Sequence, residues 1–579
     1  MRGRRDGSGG LAPPAPFLFT TWALVVLAFA LRTLDAQEPS PFGLEARRLV
    51  TDIEHVEGTA RRLIERTALE RLYIAADVRP LWSVDGAPTR QALEAMGMLA
   101  SSDTRGLAPA DYGVDSIAVL ARFTVEAPTD VARFDVALSH AVVRLLADLH
   151  LGRVDPQSLR FDLPESHDGL DFAAFVTAVA TANDVSAAVA AVEPPYAGYA
   201  TLKQVLATYR GLAADTTLHV PARVGQTIRP GDGYADAPAL RRLLTALGDL
   251  DGGLTSESLP VPNDSVVPTY DSILAAAVVR FQRRHGLEPD AIIGAETMAQ
   301  LALPLARRVR QIELTLERWR WLPDRAPARY AVVNIPAFRL YAFENDPAAQ
   351  RPLFAMKAIV GEASGRHGTP VFVGTMREVV FQPYWDVPPS IARNELVPLI
   401  RRRPSYFHTE GFEIVRVGDG GDDARVHPPT AANLRRVLDG ELRLRQRPGP
   451  SNALGPVKFV FPNRYNVFLH GTPARELFAR SRRDFSHGCI RIEEPETLAE
   501  LVLRDQGSWD PETIDAAMSG PRTQHVPVER PVVVYVFYAT VSVDDTGSVR
   551  FYPDLYGHDV ALERALRPPR PDASRAERP

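Results

Sequence analysis

From about residue 45 to 217, apolar positions recur every three or four residues, as in 52–69 and 136–150, and alanine is abundant, which predicts a helical region. Pro80, Pro109, Pro156 and Pro164 mark breaks between its helices. Between 220 and 304 the same period predicts a short helix over 237–247 and an amphipathic one over 271–285, stopped by Gly286. A helix over 307–321 carries Trp319 and Trp321. Beyond it the pattern changes to strands. Segments 330–335 and 339–343 flank Pro336-Ala337, 371–380 continues the β character, and 457–461 with 465–469 predicts a hairpin around Pro462-Asn463-Arg464. Helical patches at 391–400 and 430–438 interrupt these strands, so 385–455 is expected to be an insertion able to cover a site as a lid. A helix over 496–503 starts at Pro495, and 532–543 with 548–552 predicts a second hairpin through Asp544-Asp545-Thr546-Gly547.

The expected fold class is therefore α+β and multidomain. A helical scaffold (45–219) precedes a small three-helix module (220–305) and a mostly β domain (306–520) that holds the helical lid-like insertion. A C-terminal β segment (521–566) and a disordered tail rich in proline and charge (567–579) follow. With 579 residues, 45% hydrophobic and 24% charged, the chain is globular, which excludes collagen, wholesale disorder and a polytopic membrane protein. A net charge of −5 with dispersed basic residues argues against a nucleic-acid partner. Arg2, Arg4 and Arg5 precede an apolar run over 17–31, so residues 1–36 are expected to export the chain. They act either as a signal peptide cleaved after Ala36 or as a single membrane anchor.

The chain has one cysteine, which excludes an internal disulfide and a four-cysteine zinc site. An inert buried thiol, an intermolecular link and a nucleophile remain, and composition alone favours the first. The surroundings of Cys489 reverse that order, because it lies in the polar, glycine-flanked run Ser486-His487-Gly488-Cys489-Ile490-Arg491, with His470-Gly471-Thr472 upstream. An ordinary thiol is only a few per cent ionised near neutral pH, so a nucleophile needs a neighbouring base, and the base needs a group that fixes its tautomer. His470 and His487 are candidate bases, although either histidine could merely satisfy loop carbonyls. Gly488 removes side-chain bulk where a substrate carbonyl would approach the backbone amides. Two histidines and a cysteine at this spacing make a poor zinc site.

Ser-His-Gly-Cys-x-Arg after His-Gly-Thr resembles the signature of the YkuD-type L,D-transpeptidases. The long YcbB-like subgroup is resembled further by Ile312-Glu313-Leu314, Glu317-Arg318-Trp319-Arg320-Trp321, Tyr384-Trp385-Asp386-Val387-Pro388-Pro389-Ser390, Gly449-Pro450-Ser451-Asn452-Ala453-Leu454-Gly455 and Leu151-Gly152-Arg153-Val154-Asp155-Pro156. Phe281-Gln282, Gly286-Leu287, Asp290, Gly294 and Thr297 resemble the three-helix peptidoglycan-binding module, with Ala291 standing where that family has glycine. The resemblance implies a periplasmic enzyme, free or anchored to the inner membrane, that needs no metal or organic cofactor and acts on peptidoglycan stem peptides and glycan. It implies Cys489 as nucleophile, His470 as base, the Gly471 carbonyl as orienter, and the Gly488 and Cys489 amides as oxyanion donors. It also implies a tetrapeptide donor losing D-alanine, a thioester, 3→3 cross-links and sensitivity to carbapenems, and it leaves room for a D,D-carboxypeptidase partner that supplies tetrapeptides. His487 either tunes the thiolate or holds the loop. Arg491 either meets a substrate carboxylate or pairs with Glu493 or Glu494, and Trp385 is either a substrate wall or a core aromatic. An L,D-carboxypeptidase or endopeptidase, and a non-catalytic wall-binding protein, are the competing readings.

Overall fold

The computed structural model describes residues 40–53, 60–74, 78–123, 127–164, 170–218, 226–251, 267–344, 352–364, 367–421, 423–544 and 547–567. The expected export segment 1–36 and the expected tail beyond Arg567 lie outside the described residues. Among the described residues no helix is long and apolar enough to cross a membrane. The chain divides into two compact units, one made of 1–92 and 116–140, the other of 93–115 and 141–579.

The first unit is helical. Helices Pro41–Asp52 and Ala60–Tyr73 occur where a single run over 52–69 was expected, and residues 54–59 between them lie outside the described set. Phe42, Val50, Leu69 and Tyr73 pack with Val131 and Val136. Within this core the buried Asp135 carboxylate accepts from the amides of Leu81 and Trp82 at 2.9 and 2.8 Å and from the Tyr73 hydroxyl at 2.7 Å. A buried carboxylate survives only with such a set of donors.

In the second unit, helices Phe172–Thr181, Val185–Ala190 and Ala197–Ala214 continue the scaffold. The last packs through Tyr199, Leu202 and Leu206 against Ile312 and Leu316 of helix Leu305–Trp319. The small module holds helices Ala237–Ala246, Ser272–Arg284 and Ala295–Leu301 around Leu240, Leu274, Val278 and Phe281. Gln282 is buried there and ties its helix to the following turn through Asp290, the Ile292 carbonyl and Thr297.

The β domain is built on strands β1 (Arg329–Asn334), β2 (Arg339–Glu344), β3 (Phe354–Gly361), β4 (Phe372–Phe381), β5 (Trp385–Asp386), β6 (Phe412–Arg416), β7 (Leu442–Gln446), β8 (Val457–Val460), β9 (Leu469–His470), β10 (Asp484–Ser486), β11 (Ile490–Ile492) and β12 (Gln524–Phe537). A nine-stranded sheet runs β10-β3-β11-β9-β8-β4-β12-β1-β2, and a further β2–β3 pairing closes it on itself. Alternate residues such as Ala331, Val333, Leu340, Phe459 and Val534 are buried in its core, as the period of two requires. The insertion has its own three-stranded sheet, β5-β7-β6, and its own core of Val397, Ile400, Ile414 and Leu444.

Three elements differ from the sequence pattern. The hairpin after Phe461 has a second strand of two residues only. Its turn is held instead by Asn463, whose amide donates to the carbonyls of Phe461 and Val467 (2.7 Å each) and accepts from the amides of Tyr465 and Val467. The run over 532–543 breaks after Phe537. There the Asn334 side chain takes both backbone groups of Ala539, and Val541–Val543 leaves to pair with Val549–Phe551. The helix over 391–400 contains a π turn, Ala392–Leu396, between Pro389–Ile391 and Val397–Arg402.

Candidate active site

Strands β8, β9 and β11 lie side by side. Lys458 on β8 is directly opposite His470 on β9, and His470 is directly opposite Arg491 on β11. The neighbouring register joins Phe459, Leu469 and Ile490, all fully buried in the barrel core. The pleat therefore puts Lys458, His470 and Arg491 on the other face in one row, with the imidazole between two cations. Cys489 comes two residues before Arg491 and is partly exposed.

His470 is buried, and its Nδ1 lies 2.6 Å from the Gly471 carbonyl oxygen. A carbonyl only accepts, so Nδ1 carries the proton and Nε2 keeps a free lone pair. Burial and the Arg491 charge, with a smaller effect of Lys458, push the imidazole pKa down to about 3, against hydrogen bonds to the Gly471 and Leu454 backbone. Burial pushes the Cys489 thiol above its ordinary value, opposed by the Phe468 amide, Lys458 and Arg491. Both shifts favour a neutral thiol and a neutral imidazole over a thiolate and an imidazolium. The thiol donates to the Asn466 carbonyl at 3.7 Å, in the loop that Asn463 organises.

The loop before the cysteine is fastened from several sides. The Ser486 hydroxyl accepts from the Gly488 amide (3.2 Å) and donates to the Cys489 carbonyl (2.5 Å). Thr369 donates to the Gly488 carbonyl (2.9 Å) and accepts from the Gly361 amide (2.8 Å), while Tyr556 of the C-terminal segment donates to the Gly361 carbonyl (2.6 Å). Because Gly488 already donates to Ser486, the expected pair of oxyanion donors is reduced. The Cys489 amide makes no hydrogen bond among the described residues and is a free donor beside the thiol. Gly488 is needed for its φ of +117°, rather than for bulk, since an added Cβ would meet only the His367 carbonyl at 3.7 Å.

His487 points to the insertion: its Nε2 is 2.8 Å from Glu395 Oε1 in the π turn, and its ring lies 4.7 Å from that of His367. Arg491 does not pair with Glu493 or Glu494. Glu493 holds Lys357, and the Arg491 guanidinium makes no hydrogen bond or ion pair among the described residues, its Nε being buried without a partner. Trp385 lies on β5 against Phe412 and the insertion's own core, where a core aromatic belongs. Lys458, Thr369, Asn463 and Glu395 were not singled out from the sequence. A lone lysine in the apolar strand Val457–Val460 was the available signal for the first, whereas the others depend on pairings that only the fold creates.

Comparison with known proteins follows this division of the chain. Residues 328–534 match the "L,D-transpeptidase catalytic domain", residues 67–206 a "Scaffold domain", and residues 234–301 a "Putative peptidoglycan binding domain". A Haemophilus influenzae protein named "Putative L,D-transpeptidase" is 28% identical over 257 residues, which are 44% of this chain and 49% of the relative. The chain therefore spans about half the length of that relative.

Proposed function

We propose that this chain, whose residues 328–534 match the L,D-transpeptidase catalytic domain, works outside the cytoplasmic membrane as a cysteine acyltransferase that cross-links peptidoglycan. The observation that carries this reading is the row on β9 and β11. It presents a buried imidazole with its Nδ1 proton fixed on Gly471 beside the strand that begins next to the chain's single thiol.

In this reading the donor is a tetrapeptide stem. As Cys489 Sγ attacks the carbonyl before the terminal D-alanine, its proton passes to His470 Nε2, and the Cys489 amide receives the developing oxyanion. The C–N bond then breaks, the proton goes from His470 to the leaving amine, and D-alanine departs, leaving a thioester. An acceptor amine of a second stem peptide, commonly on a diaminopimelate side chain, attacks the thioester, gives its proton to His470 and returns the thiol. The product is a 3→3 cross-link. Neutral thiol with neutral imidazole suits general-base attack, because the proton moves only when a carbonyl is in place. The insertion over 385–455 serves as a cover, and exclusion of water protects the thioester. Peptidoglycan glycan and stem peptides are the partners, and the small module holds the enzyme on them.

Incubation with purified disaccharide-tetrapeptide, followed by mass analysis, tests the reading. Cross-linked dimers with release of D-alanine are expected, and Cys489→Ala should lower turnover by at least about 10⁴-fold. D-alanine release without dimers would replace it with an L,D-carboxypeptidase. Equal sacculus binding and no turnover for wild type and Cys489→Ala would replace it with a wall-binding protein. A carbapenem should add its mass to Cys489 in the wild type only.

A further inference from the structure

Two cations without counter-ions stand on either side of the base, which is an expensive arrangement for a folded protein. The Arg491 Nε is buried with no partner, and no carboxylate pairs with its guanidinium among the described residues. Lys458 is half-buried, lies over the Phe468 ring at 4.0 Å and forms no ion pair among the described residues. Burial depresses the pKa of both, opposed in each by the neighbouring Cys489 thiol, which makes no ion pair with either. Of the acids that reach Lys458 electrostatically, Cys489 is the thiol of the site itself, and Asp386 and Glu378 hold other partners, Arg443 and His525. Strand register fixes the spacing: each cation is one strand away from His470, on the same face.

We propose that Lys458 and Arg491 form a carboxylate-binding subsite bracketing His470, and that a donor carboxylate seated there frees the imidazole to act as base. The proposal rests on the function proposed above and deepens it. Burial opposes protonation of His470 most, and the positive charges of Arg491 and, to a smaller extent, Lys458 add to it. A carboxylate bound between them offsets the charge part of that opposition, so the base is stronger when the correct donor is present. A donor stem offers two carboxylates near its scissile bond, one on the leaving D-residue and one on the side-chain centre of the residue that supplies the acyl group. Both share the chemistry the pair recognises. Arginine adds a planar two-point contact and lysine a point charge.

The test does not need turnover. Cys489 is alkylated with iodoacetate and, in parallel, with neutral iodoacetamide. The ratio of the two rates cancels the thiolate fraction and reads the local preference for a carboxylate. The ratio for wild type should exceed that of a small free thiol by about tenfold. It should fall to the free-thiol value in Lys458→Met and in Arg491→Met, and stay high in Lys458→Arg, whose retained charge also controls for folding. A wild-type ratio equal to the free thiol, or one unchanged by Lys458→Met and Arg491→Met, overturns the subsite. With donors amidated at one carboxylate or the other, the amide that lowers wild-type kcat/KM without further lowering that of Lys458→Met identifies the bound group. If neither amide matters, the subsite is wrong. A high alkylation ratio without cross-linking would overturn the proposed function and leave the subsite standing. Cross-linking with a flat ratio would do the reverse.

Discussion

Arginines with buried guanidinium atoms come in two kinds in this protein. Arg320, fully buried, gives its guanidinium to Glu317 at 3.0 Å, to the Tyr199 hydroxyl at 3.3 Å and to the Arg105 carbonyl. Arg329 holds Glu344, Asp505 and the Leu501 carbonyl, and Arg445 holds Glu413 and the Gly421 carbonyl. Arg491 has nothing comparable. The first kind belongs to the architecture, where the guanidinium is held by acceptors the fold provides. The second is kept ready for something the chain itself does not contain. A desolvated charge is tolerable when paired and costly when not. Arg318 and Arg443 also leave a buried nitrogen without a partner, but each holds an acid, Asp559 and Asp386, whereas Arg491 holds none among the described residues.

The sharpest way to break this contrast is to remove one arginine of each kind. Arg320→Met should destabilise the protein by about 3–5 kcal/mol, because the Glu317 carboxylate would stay buried without its counter-charge. Glu317 also accepts from the Arg153 and Val154 amides, so adding Glu317→Gln should recover part of the loss. Arg491→Met should leave stability within about 1 kcal/mol of wild type, or raise it, while impairing the reaction. Chemical denaturation followed by tryptophan fluorescence measures both. A large loss of stability in Arg491→Met would mean that the guanidinium is structural.

The same field has a pH signature. His470 is held neutral down to a pKa of about 3, whereas an unfolded histidine takes a proton near 6.5. Between these values the unfolded state binds the extra proton. This group's contribution to stability is therefore complete above about pH 6.5 and is lost as pH falls toward 3. For the thiol, burial raises the pKa, so the iodoacetamide rate should still be rising as pH passes 9. A plateau reached below pH 7 would show a preformed thiolate–imidazolium pair and sink the neutral-pair description.

How much of this was legible in the sequence depends on distance along the chain. Cys489, His470 and Gly471 announce themselves through local spacing, and the helices and most strands through period. The row containing Lys458 was not legible, because it exists only when three strands align and a lone lysine among apolar neighbours looks like a solvated position. The alternative in which Arg491 pairs with Glu493 or Glu494 rests on proximity in sequence alone. Register instead sends Glu493 to Lys357 on β3. The break at Phe537 was hidden for the same reason, since Asn334 makes it from more than two hundred residues upstream. Gly455 is a smaller case. It ends the Gly449-to-Gly455 motif with φ +64°, and an added Cβ would come within 2.5 Å of the Thr472 amide and 2.7 Å of the Gly471 carbonyl carbon. Gly455→Ala should therefore cost about 1–3 kcal/mol and displace the carbonyl that orients His470, lowering kcat more than it raises KM. An unchanged kcat would separate that motif from the base.

The smallest expected effect concerns the motif histidine that does have a partner. His487 contacts Glu395 at 2.8 Å, and both side chains are substantially exposed, which places the contact among surface pairs that contribute at most about 1 kcal/mol. Glu395 stands on the π turn of the insertion, a local irregularity that sets where its carboxylate falls. If the contact only steadies the insertion against the catalytic loop, Glu395→Gln should change kcat/KM by less than about fivefold. The difference from wild type should shrink further at high salt, where exposed charges are screened. Glu395→Gln keeps a hydrogen-bond acceptor, so Glu395→Ala separates loss of charge from loss of contact. A drop in either variant as deep as that of Arg491→Met would move Glu395 from the insertion's fastening to the reaction itself. The unpaired row and the paired histidine would then be two halves of one device.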